Sequence, residues 1–215
     1  MKLQVIDLGK NPYQETWDYQ KDLQRKRHKG EVPDSIVFVE HPHVYTLGNS
    51  AEENNLVAPE GFLENKGIEV VKVDRGGDIT YHGPGQIVGY PIFNLRDLNM
   101  GVKRYVGNVE DVLIETCAEF GIKAQRIEGL TGVWVDSNKI AAIGIRVSKW
   151  TTYHGFALNV ETDLSLFNGI IPCGIVDKGV TRMIDLNPEA KFEVVKKVII
   201  EKFQKIFGFD EIIKD

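Results

Sequence analysis

The sequence predicts a mixed α+β fold (a mixed α/β arrangement) of helices packed on a sheet, rather than a doubly wound parallel sheet. Two observations predict it. Short apolar runs alternate along the chain with longer stretches of helical periodicity. Three predicted strands in the middle of the chain lie close enough in sequence to pair as antiparallel neighbours. Because one hydrophobic core commonly grows to roughly 250 residues, we assign residues 1–215 to a single domain.

The first part of the chain is predicted to hold one helix and four strands. Asn11 is a suitable N-cap, Pro12 suits a first helical position and Gly30 ends the pattern, so a helix is expected over residues 11–29. Residues 49–60 are polar and predict an exposed loop. Strands are predicted at residues 3–8, 35–39, 44–47 and 68–73.

The second part is predicted to hold two amphipathic helices and three strands. The first helix covers residues 101–121, with Gly121 at the position of a C′ glycine. Its apolar face is predicted to comprise Val102, Tyr105, Val106, Val109, Val112, Leu113, Cys117 and Phe120. A hairpin is expected at 132–135 and 139–147, a third strand at 152–160 and a last helix at 189–207.

Composition excludes several classes of protein. Hydrophobic residues make up 42% and charged residues 27%, which is ordinary for a globular protein and excludes a disordered chain. The net charge of −5 lacks the basic character of a general nucleic-acid binder. No apolar stretch approaches the ~18 residues of a membrane span and no secretory signal is visible. With two cysteines, the expected location is the reducing cytoplasm.

A glycine-rich segment runs from Arg75 to Gln86 and contains four glycines. Glycines let the backbone approach a ligand closely. The order of residues matches neither a phosphate-binding P-loop nor a dinucleotide-binding loop. Composition alone favours an ordinary turn between strands. The donors Arg75, Thr80, Tyr81 and His82 within one turn argue instead for a binding segment.

Two later strands carry small residues where a ligand would have room. Lys139 opens a strand that continues into Ala142, Ile143 and Gly144. The next strand contains Gly155, Phe156 and Ala157. The alternative explanations are a surface lysine at a hairpin and a bulge packed against a helix.

The histidines give no sign of a metal site. None of the five forms an i, i+4 pair, so zinc is not expected. His154 is interpreted as a hydrogen-bonded core or rim histidine rather than a metal ligand.

The two cysteines differ in their predicted surroundings. Cys173 lies between Pro172 and Gly174, so a tight loop would hold its thiol as a candidate nucleophile. Cys117 lies on the apolar face of a predicted helix and is expected to be an inert core thiol.

Together these segments resemble the lipoyl(octanoyl) transferases, the octanoyl-[acyl carrier protein]–protein N-octanoyltransferases. The resemblance covers roughly residues 35–185 and keeps the family's order and spacing. It rests on RGGDITYHGPGQIVGYPIFNL, GVWV followed by KIAAIGIRV, TTYHGFALNV, and IIPCGI with VTRM shortly after. One residue departs from the pattern, because Arg182 stands where the family usually has serine.

The resemblance implies the fold of the biotin and lipoate protein ligases and one catalytic transferase domain. It implies that an octanoyl group moves from acyl carrier protein to a lipoyl-domain lysine through a thioester on Cys173, with Lys139 lowering the pKa of that thiol. The acceptors implied are lipoyl domains of 2-oxoacid dehydrogenase E2 subunits and the glycine cleavage H protein. No metal or cofactor, nucleic acid or membrane is expected, and the chain is expected to be a monomer. The substrate-contact residues implied are Arg75, Gly76, Gly77, Asp78, Ile79, Thr80, Tyr81, His82, Ala142, Ile143, Gly144, Gly155, Phe156 and Ala157.

Three other functions stay open from the sequence. An ATP-dependent lipoate or biotin ligase would need ATP and magnesium but no nucleophilic cysteine. An octanoyl amidotransferase would share the thioester chemistry and take its acyl group from another lipoyl-domain protein. A non-catalytic module that binds lipoyl domains would not need the Cys173 thiol at all.

Overall fold

Two β-sheets organise the part of the chain that the computed structural model describes, which is residues 1–59, 61–171 and 178–214. The smaller sheet consists of β3 (Val44–Leu47), β4 (Glu69–Lys72) and β5 (Ile79–His82). The larger sheet consists of β1 (Lys2–Lys10), β2 (Asp34–Glu40), β6 (Gln86–Ile92), β7 (Gln125–Ile127), β8 (Leu130–Val135), β9 (Asn138–Ser148), β10 (Thr151–Asn159) and β11 (Glu211–Lys214).

The larger sheet is mixed, which confirms the predicted fold class. Its spatial order is β11-β1-β2-β6-β10-β9-β8-β7. Strand β1 pairs in parallel with β2 and with β11, and the other neighbours pair antiparallel. The three middle strands predicted from their close spacing, β8, β9 and β10, are antiparallel neighbours as expected. In the smaller sheet, β3 pairs in parallel with β4 and antiparallel with β5.

Helices cover both faces of the larger sheet. The helices of the described residues are α1 (Tyr13–His28), α2 (Phe62–Lys66), which packs on the smaller sheet, α3 (Val102–Glu119), α4 (Met183–Leu186) and α5 (Phe192–Phe207), with 3-10 turns at Glu53–Asn55 and Leu164–Gly169. The buried faces of α3 and α5 join one core cluster with the sheet, and α1 packs over β10 and β6 through another. No helix within the described residues is long and apolar enough to cross a lipid bilayer.

Two local predictions are wrong. Asn11 does not cap α1, because Pro12 occupies the N-cap position in an extended conformation and Asn11 Nδ2 donates to Thr16 Oγ1 (3.1 Å). Val102 lies in the first turn of α3 and is 44% exposed, since a first turn extends past the core edge. The segment predicted as a loop, residues 49–60, contains one short turn, Glu53–Asn55, which is compatible with that prediction.

Several strands were not predicted, and each omission has a local reason. β5 and the start of β6 lie inside the glycine-rich segment, whose composition favoured a turn. β7 and β11 have three and four residues, too few to show a period-2 pattern.

The smaller sheet packs against the beginning of α1. Tyr13, Val44 and Val73 form a buried cluster there, with Trp17 packed against it. This contact places the glycine-rich segment, which contains β5, opposite the small-residue strands β9 and β10.

Candidate active site

The predicted segments meet around one cavity of about 760 Å³. The larger sheet lines it with residues of β6, β8, β9 and β10, and the smaller sheet with residues of β5. Of the predicted substrate-contact residues, Gly76 and Tyr81 are not in the lining. The predicted residues that do line the cavity are Arg75, Gly77, Asp78, Ile79, Thr80, His82, Lys139, Ala142, Ile143, Gly144, Gly155, Phe156 and Ala157.

Arg75 is buried and ties the glycine-rich segment to the smaller sheet. Its Nη2 donates to the carbonyl oxygen of Thr46 (2.6 Å) and to Thr46 Oγ1 (2.9 Å), and its Nη1 donates to the carbonyl oxygen of Gly76 (3.1 Å). These charge-assisted hydrogen bonds fix the turn that begins the segment.

Glycines let this turn pack directly on neighbouring backbone. The amide of Gly76 donates to the carbonyl oxygen of Ile145 (2.9 Å) on β9. A Cβ at Gly144 would lie 2.8 Å from the carbonyl oxygen of Gly76, and one at Gly48 would lie 2.3 Å from that of Gly77. Gly77 itself has φ +86°, a conformation that favours glycine.

The rest of the segment divides between the cavity and the core. Asp78 accepts from Asn55 Nδ2 (2.6 Å) and from the amide of Ile79 (2.7 Å). Tyr81 is fully buried, and its hydroxyl hydrogen-bonds His43 Nδ1 (2.7 Å) away from the cavity. Ile79 and Thr80 present an apolar and a hydroxyl side chain to the cavity.

Strands β9 and β10 bring their small residues side by side. In the antiparallel register Ala142 faces Ala157, Ile143 faces Phe156 and Gly144 faces Gly155. A Cβ at Gly155 would lie 2.1 Å from the carbonyl oxygen of Gly89. A Cβ at either glycine would therefore meet protein backbone, so these two glycines permit close packing, although both residues also line the cavity.

Lys139 begins the small-sided strand at the cavity wall. Its amide donates to the carbonyl oxygen of Gly179 (2.9 Å), and its carbonyl oxygen accepts from the amide of Thr181 (3.0 Å). The ammonium group lies 4.8 Å from the centre of the Trp134 ring, and that of Lys178 lies 5.5 Å from the same centre. Two cations therefore share one aromatic side chain beside the cavity.

The two cysteines have different outcomes. Cys173 lies outside the described residues, so its predicted role stays a prediction; Ile171 and Lys178, on either side of that segment, both line the cavity. Cys117 is fully buried, as predicted, and burial raises the pKa of its thiol to about 12.

One side of the cavity is formed by Tyr13, His82, Tyr90 and His154, which we call the histidine–tyrosine wall. His154 has φ +55°, an uncommon conformation for a residue other than glycine. Tyr153 and His154, though consecutive, both hydrogen-bond Asp74, Tyr153 through its hydroxyl and His154 through Nε2 (2.8 Å). These two bonds hold the pKa of the Asp74 carboxyl at about 2, while burial lowers the pKa of His154.

Behind the wall the polar groups continue in a connected set. His41 Nε2 hydrogen-bonds the Tyr90 hydroxyl (2.8 Å), and burial lowers the pKa of His41 to about 4. His82 Nδ1 hydrogen-bonds Gln86 Oε1 (2.9 Å), and burial lowers the pKa of His82 well below its ordinary value. These imidazoles are therefore neutral at pH 7.

Arg182, the departure from the family pattern, lies just before α4. Its Nη1 donates to the carbonyl oxygen of Thr162 (2.9 Å), and its Nε donates to Asp185 (3.0 Å). Arg182 thus joins the chain that follows β10 to the start of α4.

Several cavity residues were missed by the sequence reasoning. Gln86, Trp134 and Asn159 stand inside the quoted motifs and could have been included for that reason. Tyr13 precedes every motif and carries no local signal. The other lining residues not predicted are Val57, Tyr90, Gly129, Leu130, Thr131, His154, Phe167, Asn168, Ile170, Ile171, Lys178, Gly179 and Val180.

Known proteins share this sequence and this fold. An octanoyltransferase from Alkaliphilus metalliredigens is 46% identical over 214 residues, which is 99% of this chain and 98% of the relative. An octanoyltransferase from Koribacter versatilis is 47% identical over 211 residues, covering 95% and 84% of the two chains. A bi-partite lipoate protein ligase from Thermoplasma acidophilum has the same fold, with a TM-score of 0.77 at 16% identity, and the match covers 100% of this chain and 86% of that one.

The family model of the lipoyl protein ligase A/B catalytic domain matches residues 12–204. That range holds every motif on which the resemblance rests. The chain therefore belongs to the lipoyl protein ligase A/B catalytic domain family, and within it to the octanoyltransferases.

Proposed function

We propose that this octanoyltransferase carries the acyl group on Cys173, between octanoyl-acyl carrier protein and the ε-amine of a lipoyl-domain lysine. The acceptors proposed are the E2 subunits of 2-oxoacid dehydrogenases and the glycine cleavage H protein. One observation supports this most. Lys139 lines the cavity, and so do Ile171 and Lys178 on either side of the segment that contains Cys173. Because two residues of chain span at most ~7 Å, the connection to Ile171 limits how far Cys173 can lie from that wall.

In the first half-reaction the Cys173 thiolate attacks the thioester carbonyl of the donor. A new C–S bond forms, the bond to the phosphopantetheine sulfur breaks, and that sulfur leaves as a thiol after taking a proton. A free thiol titrates near ~8.5, so a nearby lysine ammonium is needed to favour the nucleophilic anion. Lys139 supplies that ammonium in this proposal.

In the second half-reaction the lysine amine of the acceptor attacks the Cys173 thioester. The C–N bond forms, the C–S bond breaks and the amine loses a proton. In this proposal Lys139 accepts that proton when it is neutral, a state favoured once acylation has removed the thiolate charge. An amide is far more stable than a thioester, so this step draws the cycle forward.

In the proposed reaction the acyl chain occupies the cavity, and no cofactor or metal takes part. The cavity lining includes the apolar residues Ile79, Phe167 and Ile170. Burying each methylene contributes about 0.8 kcal/mol, so the number of carbons affects binding. The volume of about 760 Å³ lies within the usual range of small-molecule sites.

Mass spectrometry of the protein mixed with octanoyl-acyl carrier protein tests the proposal. We expect one octanoyl adduct, on Cys173. Cys173→Ala should abolish the adduct, while Cys117→Ala, the matched control, should keep it. Lys139→Ala should slow both acylation and transfer. An adduct that persists in Cys173→Ala, or transfer at a normal rate without Lys139, would rule out the corresponding assignment.

The other proposed enzymes are separated by their donors. Transfer from octanoyl-acyl carrier protein without ATP and magnesium would exclude an obligatory ligase mechanism. Octanoylated H protein acting as a much better donor than the carrier protein would favour the amidotransferase. Full activity in Cys173→Ser would point to a function that does not use the thiol.

A further inference from the structure

The histidine–tyrosine wall of the cavity has a definite arrangement of hydrogen atoms. One nitrogen of each histidine in and behind it is hydrogen-bonded to an acceptor oxygen, which belongs to Asp74 for His154, Asn11 for His41 and Gln86 for His82. Since a neutral imidazole carries one N–H and one bare nitrogen, that partner determines which nitrogen bears the proton. The bare nitrogen then determines which way the neighbouring hydroxyl donates.

The first of these histidines is His154, which is hydrogen-bonded to Asp74. The Asp74 carboxylate accepts from His154 Nε2 (2.8 Å), so the proton of the neutral ring is on Nε2. His154 Nδ1 is then a bare acceptor 3.4 Å from the Tyr13 hydroxyl. Tyr13 therefore donates its proton to His154, away from the cavity.

The second case starts at the backbone carbonyl of Asn11. It accepts from His41 Nδ1 (2.8 Å), so the bare nitrogen of the neutral ring is Nε2. That nitrogen lies 2.8 Å from the Tyr90 hydroxyl, which therefore donates to His41. His41 is behind the wall, so this proton also points away from the cavity.

The third case starts at Gln86. Its Nε2 donates to the carbonyl oxygen of Tyr81 (3.1 Å) and to Asn159 Oδ1 (2.9 Å), which leaves Oε1 facing His82 Nδ1 (2.9 Å). His82 Nδ1 therefore carries the proton and Nε2 is bare. Thr46, whose Oγ1 accepts from Arg75 (2.9 Å), lies 3.4 Å from that bare nitrogen and can donate to it.

All four wall residues thus have their polar hydrogens bonded to acceptors within the described part of the protein. Toward the cavity the two tyrosine oxygens offer lone pairs. A saturated chain meets no unsatisfied donor there, and a hydroxyl on the chain can donate to a tyrosine oxygen. A carbonyl oxygen set directly against these two tyrosine oxygens would lose its water and meet only lone pairs at that point, which is the costly case.

We propose that the histidine–tyrosine wall selects the oxidation state of the acyl chain, accepting saturated octanoyl and rejecting keto-octanoyl groups. The proposal rests on the function proposed above, because it requires the acyl chain to enter this cavity. It makes Tyr13 and Tyr90 specificity-determining residues, with His41 and Asp74 as the positioning residues that direct their protons.

The test compares pantetheine thioesters of octanoate with those of 3-oxo-, 5-oxo- and 7-oxo-octanoate and the matching hydroxy acids. We expect at least one keto position to lower kcat/KM by roughly 10- to 100-fold, and the hydroxyl at that position to lower it less. A loss that is equal at all positions and equal for keto and hydroxy groups would overturn the proposal.

Two substitutions, at residues that do not line the cavity, should each free a tyrosine hydroxyl to donate toward the cavity. His41→Leu removes the acceptor of the Tyr90 proton. In Asp74→Asn the new amide can donate to His154 Nε2, so the ring proton moves to Nδ1. Nδ1 then no longer accepts from the Tyr13 hydroxyl, which is freed. The ¹⁵N shifts of His154 would show this change of tautomer. Either variant should raise the keto-to-saturated ratio of kcat/KM at the discriminated position. Ratios unchanged in both variants would overturn the proposal.

Tyr153→Phe is the matched control. It removes the other hydrogen bond to Asp74 and reverses no proton at the wall, so its keto-to-saturated ratio of kcat/KM should equal that of the parent.

The adduct mass separates the two proposals. If no thioester acylates Cys173, the proposed function fails, whereas equal acylation by every thioester means that only the selection fails.

Discussion

Gly144→Ala tests whether the cavity wall owes its shape to close backbone packing. The added Cβ would lie 2.8 Å from the carbonyl oxygen of Gly76 and 3.0 Å from Cδ of Arg75. The arginine atom belongs to a side chain that can adjust, but the carbonyl oxygen belongs to a backbone turn held by the Gly76–Ile145 hydrogen bond. The turn must therefore shift, or β9 must bend.

The two contributions to the free energy of unfolding have opposite signs. Overpacking of this kind costs roughly 1–3 kcal/mol. Replacing glycine by alanine restricts the unfolded chain and stabilises by about 0.4–1 kcal/mol. The net expectation is a loss of about 1.5 kcal/mol, which lowers the Tm of a domain of this size by about 3–6 °C. The KM for the octanoyl thioester should rise, because the displaced turn lines the cavity.

Urea unfolding of the parent and the variant measures the change, with Gly107→Ala as the control. Gly107 lies within α3, and its Cβ would have Arg126 Nη2, at 4.0 Å, as its nearest neighbour. The same substitution there should stabilise by about 0.5–1 kcal/mol. If Gly144→Ala were as stabilising as Gly107→Ala, the packing argument for the wall would be refuted.

Two further predictions concern buried titratable groups. Burial lowers the pKa of His41 to about 4 in the folded protein, against ~6.5 in the unfolded chain. Its contribution to the free energy of unfolding is therefore fully present above pH 6.5, and it falls by up to about 3 kcal/mol as the pH drops to 4. The stability of His41→Leu should therefore fall less over that range in urea titrations, and a parallel pH profile would contradict the assignment. Cys117, with a pKa of about 12, should resist iodoacetamide at pH 8 until the protein is unfolded; rapid labelling of the native protein would show that the thiol is accessible.

The elements that the sequence predicted best are those whose periodicity and packing agree. α3 and α5 bury apolar faces against the larger sheet, and their patterns repeat over four or more turns. The β8–β9 hairpin and β10 follow one another directly, so their pairing needs no long-range information. The motifs located the cavity for the same reason, because most of its lining comes from contiguous stretches.

What the sequence could not show depends on contacts between distant residues. Tyr13 and His154 are 141 positions apart, and His41 and Tyr90 are 49 apart. No local pattern marks such pairs, and composition assigns each residue to an ordinary helix start, loop or strand. The smaller sheet was missed as a separate unit because its pairing joins strands separated by turns and by α2.

A glycine beside a cavity has two physical explanations, and distances separate them. Room for a ligand would leave open space beside the glycine, whereas at Gly144 and Gly155 the nearest atoms to a Cβ are the carbonyl oxygens of Gly76 and Gly89. The glycines therefore bring backbone segments together, and Ala142 and Ala157, which are paired across β9 and β10, line the cavity beside them. The two strands thus use their glycines for close packing of the backbone and their alanines to line the cavity.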